Sequence, residues 1–392
     1  MARVTGGRHA RRVLRSAGTL AVVISVAGCG IGSSATPTPS LPAETATPTL
    51  EPTPTPTPSP TPEPTPVLVP APLTGLPVTP EQAALHPIAV MIDDQSDARP
   101  QSGFNAASIV WQAPAEGGIP RYMLIFAENE PTSVGPVRSA RQYYVAWAAE
   151  YKALYAHVGG SPQALATLAA QGKGQLVYNA DEFRYAASYW RVTTRVAPHN
   201  MYTDGKHLRA LATSVGATAT PAALWTFGSP LALAKRPEGG RIDVTYGTSA
   251  IRYDYDRVTN TYLRSVLGKA QIDAATSTRV APTNVIVIAM HFGALNDTHP
   301  EKHRLEATYV GSGTAWISTN GTTIKGTWKK TSITAPTLFY DAKGNQLSLT
   351  AGQTFVNVVP NTTDVKVTAG APAPTPEPEN LRIPRGPSAT TY

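Results

Sequence analysis

The sequence predicts an α+β or α/β domain over residues 73–230 and a mostly β domain over residues 231–364. A disordered Pro/Thr-rich tether precedes them and a disordered tail, 365–392, follows. Three observations carry this reading. Short apolar runs alternate with helical stretches in the first region. Residues alternate with the two-residue period of half-buried strands in the second. Proline-rich repeats flank both, and they cannot build a core because proline lacks the amide proton that helices and sheets use.

Residues 1–28 carry Arg3, Arg8, Arg11, Arg12 and Arg15, then an apolar run from Leu20 to Ala27. Basic, apolar and small residues in that order form a secretory signal peptide. The apolar run is shorter than the roughly 20 residues a membrane span needs. The segment ends Val26-Ala27-Gly28-Cys29, and Cys29 is the one cysteine of the chain. That arrangement resembles a bacterial lipobox. It implies cleavage before Cys29 and attachment of a lipid such as palmitate, which places the protein on the extracytoplasmic side of the cell membrane.

Removing residues 1–28 takes away five arginines and no acid, leaving 28 basic against 26 acidic side chains, a net charge of +2. The basicity therefore lies mostly in the signal segment, and no nucleic-acid partner is expected. With Cys29 lipidated, disulfides, thiolate metal sites and cysteine nucleophiles are excluded.

Residues 29–72 are largely Thr-Pro and Ser-Pro repeats. At about 3.1 Å per residue, such a tether could hold the folded part up to ~120 Å from the lipid. In the first domain, Pro87–Asp93 reads as a buried strand, with Ala107–Gln112 and Arg121–Phe126 as two more. Arg138–Ala156 reads as one helix and Ser161–Ala170 as another, with Ser161 as N-cap and Pro162 at the first helical position. In the second domain, Arg241–Tyr246, Ile251–Tyr255 and Thr261–Arg264 read as strands, followed by Asn284–Met290. Glu306–Val310, Gly313–Thr319 and Thr322–Trp328 read as an antiparallel run turning at Asn320-Gly321. Leu338–Tyr340 and Phe355–Val359 complete the set.

The polar residues of the first domain gather at expected element ends: Asp93, Asp94, Arg99, Glu116, Arg121, Arg138, Arg141 and His157. A later segment adds Arg191, Arg195, His199 and Asn200. Element ends are where a rigid scaffold presents chemistry. Several arginines with a few acids suit a phosphorylated or carboxylated ligand, because the guanidinium fork bonds such groups bidentately. One reading is a groove that binds an anionic cell-envelope or cell-wall glycan. A second is an enzyme acting on such material, with Asp93, Asp94 or Glu116 as metal ligands or acid/base groups. A third is a protein-binding scaffold.

The chain lacks the Gly-x-Ser-x-Gly, His-Glu-x-x-His and Gly-x-x-x-x-Gly-Lys signatures, which favours binding over catalysis, and no cofactor is expected. No metal is expected either. His299-Pro-Glu-Lys-His303 has a suggestive spacing, but Pro300 argues against a helix that would align the two rings.

Several segments together resemble a known family. These are Ile88-Ala-Val-Met-Ile-Asp93, Ala98-Arg-Pro-Gln-Ser-Gly103, Gly135-Pro-Val-Arg-Ser-Ala-Arg141, His157-Val-Gly-Gly-Ser-Pro162 and Arg195-Val-Ala-Pro-His-Asn200. Gly326-Thr-Trp-Lys-Lys330 extends the match into the second domain. The chain is similar to the YerB-like lipoproteins of bacteria. That resemblance implies a surface lipoprotein with two adjacent domains of unknown biochemical function, and it brings no catalytic residue with it.

Overall fold

Residues 88–93 (Ile-Ala-Val-Met-Ile-Asp) are all buried, which marks a strand covered on both faces. This strand, β1 (Ile88–Asp93), lies inside a ten-stranded sheet. The computed structural model describes residues 67–247 and 249–373. The expected signal peptide, Cys29 and tether residues 29–66 lie outside them.

The first half of the chain supplies β1, β2 (Ile109–Glu116), β3 (Ile119–Phe126), β4 (Leu154–His157) and β5 (Tyr178–Asp181). It also supplies helices α1 (Gln142–Ala149), α2 (Pro162–Gln171) and α3 (Gly205–Ser214). The second half supplies β6 (Arg241–Tyr246), β7 (Ser249–Asp256), β8 (Thr261–Val266) and β9 (Lys269–Ala270). Then come β10 (Asn284–Met290), β11 (Gly311–Thr319), β12 (Thr322–Lys330), β13 (Leu338–Tyr340), β14 (Thr354–Pro360) and β15 (Lys366–Thr368).

The large sheet runs β13-β12-β11-β10-β14-β2-β3-β1-β4-β5. The sequence reads as two adjacent domains, yet both halves build this one sheet: β14 pairs in parallel with β2, and β10 in parallel with β14. β1, β4 and β5 are mutually parallel, and β3 is the antiparallel strand between β1 and β2. Seven strands of the sheet (β12, β10, β14, β2, β1, β4 and β5) therefore point the same way, with their carboxyl ends along one edge.

Side-chain alternation splits the core into two layers. Ala89, Met91, Trp111, Met123 and Val356 face α1 and α2, where Trp111 stacks on Trp147 at 4.9 Å between ring centroids. Val90, Val110, Leu124, Val285 and Phe355 face the other way. There they meet the inward residues of a second sheet, β9-β8-β7-β6-β15, and of α3. The result is three layers: helices, large sheet, small sheet with α3.

Four elements differ from the sequence reading. The helix expected over 138–156 spans only Gln142–Ala149. Lys152 takes a left-handed φ of 49° just beyond it, and Leu154–Ala156 then pair with Ile88–Val90. Burial between β1 and β5 outweighs the helix propensity of the alanines there. The tether expectation includes Val69-Pro70, which instead pairs with Pro77-Val78. The tail expectation includes Lys366–Thr368, which pairs with Arg241–Asp243 as an edge strand. Glu306 does not join the antiparallel run; Leu305–Ala307 pairs with Phe292–Ala294. The turn at Asn320-Gly321 forms as expected, with φ of 50° and 75°. No helix among the described residues is long and apolar enough to cross a membrane.

Candidate functional site

The carboxyl edge of the parallel strands collects Asp93 at the end of β1, Glu116 at the end of β2 and His157 at the end of β4. Arg121, near the start of antiparallel β3, stands opposite Asp93 in the register. In open sheets of this kind, ligands bind beyond the carboxyl ends of the strands. The segment 134–141 is extended rather than helical and lies along this edge. It is tied by Val137 N to Met201 O and Arg138 N to Met91 O.

Asp93 and Asp94 are neighbours in sequence but face opposite sides of the sheet, as strand alternation requires. Asp93 accepts from His199 Nδ1 at 2.8 Å and lies 3.0 Å from Arg138 Nε. Asp94 is fully buried on the other side. It accepts from Arg99 Nε at 3.0 Å, Gln101 Nε2 at 3.2 Å and Gln112 Nε2 at 2.9 Å. The two carboxylates therefore cannot chelate one ion together. Among the described residues no three His, Cys, Asp or Glu side chains are grouped to hold a metal.

Glu116 bridges two arginines, accepting from Arg121 Nη2 at 2.6 Å and from Arg141 Nη2. Arg121 also donates to Ser139 O and Arg141 to Ala140 O. Burial pulls the guanidinium pKa values of Arg121, Arg138 and Arg141 below the ordinary value. For Arg138 the positive charge of Arg121 adds to this. Arginine nonetheless stays charged at working pH. Arg304, from the second half, is a cation the sequence reading missed. It forms a bridge with Glu116 through the backbone and an ion pair with Asp297 at 2.5 Å.

Arg138 differs from its neighbours. Its side chain is 24% exposed, and Asp93 is its one charged contact among the described residues. Its Nε lies near Asp93 without hydrogen-bond alignment, and its two Nη groups donate to no protein acceptor among the described residues. Beside it runs the loop Val158-Gly159-Gly160: Val158 N donates to Arg138 O, and Ala140 N to Gly159 O. Phe183, 75% exposed, lies over this loop, 3.9 Å from where a Gly159 Cβ would stand.

Six of the sequence-selected residues thus come together: Asp93, Arg138 and His199, with Glu116, Arg121 and Arg141. The others serve elsewhere. His157 is fully buried, donating from Nδ1 to Gly159 O, while Nε2 meets the Asn179 amide at 2.8 Å. Arg191 donates to Asn200 Oδ1, and Arg195 caps the carbonyls of Asp97 and Pro100. Arg99 turns to the far face with Asp94. There Arg264, also missed, is wholly buried and donates to Tyr253 Oη at 2.9 Å and Gln112 Oε1 at 2.6 Å. Its signal was present in the sequence: Tyr262, Arg264 and Val266 share the inward register of β8, so one charge sits in an apolar row.

Two family segments match the chain in the order seen in the fold. Residues 73–218 match the N-terminal domain, and residues 242–356 the C-terminal domain, of a family described as proteins of unknown function, DUF3048. The chain belongs to this two-domain, YerB-like family. It is 29% identical over 313 residues to the Bacillus subtilis (strain 168) protein named "Putative lipoprotein YerB", covering 76% of this chain and 89% of that protein. A crystal structure of YerB from Bacillus subtilis superposes with a TM-score of 0.67 at 28% identity, covering 76% of this chain and 99% of that one.

Proposed function

We propose that this protein is a lipid-anchored extracytoplasmic lipoprotein. It captures an anionic cell-envelope ligand, such as a phosphorylated glycan, at the carboxyl edge of its parallel strands. The anchor reading rests on the lipobox-like Val26-Ala-Gly-Cys29 and on the name of the Bacillus relative. The binding reading rests above all on Arg138: a partly exposed guanidinium with unused donors, at the edge where such sheets bind ligands. Arg121 and Arg141 add positive potential behind it. The glycines at 159 and 160 let a ligand approach the backbone, and Phe183 offers a face on which a sugar ring can stack.

The test is a thermal-shift series on the full-length chain with inorganic phosphate and N-acetylglucosamine 1-phosphate, repeated on Arg138→Ala. A ligand at 100 times its Kd adds about 2.7 kcal/mol of stability. The expected result is a shift with the sugar phosphate that vanishes in the variant. A shift of equal size in Arg138→Ala, or none with either anion, refutes the reading. Mass spectrometry of the N-terminal peptide checks the lipid on Cys29 separately.

A further inference from the structure

A cleft of about 540 Å³ lies on the other side of the large sheet, between the loop 96–101 of the first half and the hairpin 266–272 of the second. Its walls are largely apolar, with Pro100, Val266, Leu267 and Ile272 prominent. Its charged lining residues are Arg99 and Lys269, and no carboxylate lines it. Arg99 holds Asp94 and Ser249 through Nε and Nη2, leaving Nη1 without a protein acceptor among the described residues. Lys269 is exposed and pairs with no acid among the described residues.

The turn at the mouth of this cleft breaks a rule that the chain follows elsewhere. Val266 pairs with Lys269, so Leu267-Gly268 is a two-residue hairpin loop, with φ of 50° and 76°. Such a turn needs positive φ at both positions and favours Asn-Gly. The hairpin at 319–322 uses Asn320-Gly321. Here a leucine takes the left-handed position, which is sterically unfavourable for a bulky side chain. It also leaves that side chain 54% exposed at the cleft. Two costs fall on one residue, and neither the turn nor the core needs a leucine there. Strain of this kind is concentrated at ligand clamps and functional sites.

We propose that this cleft is a second binding site, for a small anionic amphiphile: an apolar chain lying against Val266, Leu267 and Ile272, with its carboxylate or phosphate between Arg99 and Lys269. Apolar lining with a few convergent polar groups, at the junction of two chain segments, is the usual form of a small-molecule site. Arg99 and Lys269, the two charged residues of the lining, select the anion.

The probe is decanoate, titrated calorimetrically into the full-length chain below its micelle concentration, with acetate and decan-1-ol as controls. Decanoate is expected to bind, acetate not, and decanol several-fold more weakly. Leu267→Asn restores the ordinary turn residue. It is expected to leave the melting temperature unchanged or raised while weakening decanoate binding about tenfold, the worth of one lost apolar side chain. Lys269→Glu is expected to weaken decanoate and spare decanol. Decanoate that fails to bind, or binds equally well to both variants, overturns the proposal. So does decanoate binding that is lost in Arg138→Ala, which would place the anion at the opposite edge.

Discussion

Lys330 on β12 and Glu150 after α1 form an ion pair that crosses between the two family segments, 180 residues apart. Both side chains are fully buried. Lys330 Nζ donates to Glu150 Oε1 at 2.8 Å, and Thr337 donates to the same carboxylate from N at 2.9 Å and Oγ1 at 2.7 Å. Burial raises the pKa of Glu150 and lowers that of Lys330, and each partner's charge opposes those shifts. Lys330→Met removes the cation and leaves the carboxylate buried with only Thr337. Breaking a buried pair on one side costs about 3–5 kcal/mol, whereas replacing both partners by apolar residues is often close to neutral. Urea unfolding followed by tryptophan fluorescence should therefore show a large loss for Lys330→Met. The double variant Lys330→Met, Glu150→Leu should recover most of it.

The single variant also carries a pH signature. Without Lys330, Glu150 titrates in the folded state well above its unfolded value. The native state then holds a proton that the unfolded state has released, so stability falls as pH rises above the unfolded pKa and the loss stops growing above the folded pKa. The deficit of Lys330→Met should accordingly be smaller at pH 5 than at pH 7.5. A loss under about 1 kcal/mol, or a double variant as unstable as the sum of the singles, would show that this pair does not couple the segments.

Two further outcomes test the fold itself. Gly326→Ala places a Cβ 1.9 Å from Tyr340 O, a backbone atom that cannot step aside, so urea titration should show a loss of at least about 1–3 kcal/mol, the usual cost of overpacking. Ending the chain at Asp364 removes the strand paired with Arg241–Asp243, so amides in 241–243 should exchange faster while those of β10 keep their protection.

The sequence was most informative where one force dominates. Burial on both faces writes a continuous apolar run, so Ile88–Asp93 and Asn284–Met290 were legible as strands. Turn chemistry did the same for Asn320-Gly321. It was least informative where long-range pairing overrides local preference. Leu154–His157 follows an alanine-rich helix and carries no local strand signal; it is a strand because β1 and β5 flank it. The candidate site divided for a related reason. Spacing along the chain brought twelve polar residues into one reading, but strand alternation sends Asp94 and Arg99 to the opposite face from Asp93 and Arg138. Arg304 and Arg264 come from the other segment altogether, where no local pattern could connect them to Glu116 or Asp94.

That exchange between segments ties the two halves of this chain into one unit. β14, from near the end of the chain, inserts beside β2, and Tyr253 Oη donates to Asn357 Oδ1 between the two sheets. Buried Arg264 then reaches from the small sheet to Gln112 of β2, which donates in turn to Asp94. Asp94 adjoins Asp93, whose other side holds Arg138 and His199. The end of β1 is thus clamped on one face by the second segment and presents the candidate anion site on the other. A change in the second segment that disturbs Arg264 has a covalent route of one residue to that site. Cut apart, the first segment would lose its pairing with β14 and its contact with Arg264, and the second would lose the strand against which β14 is laid.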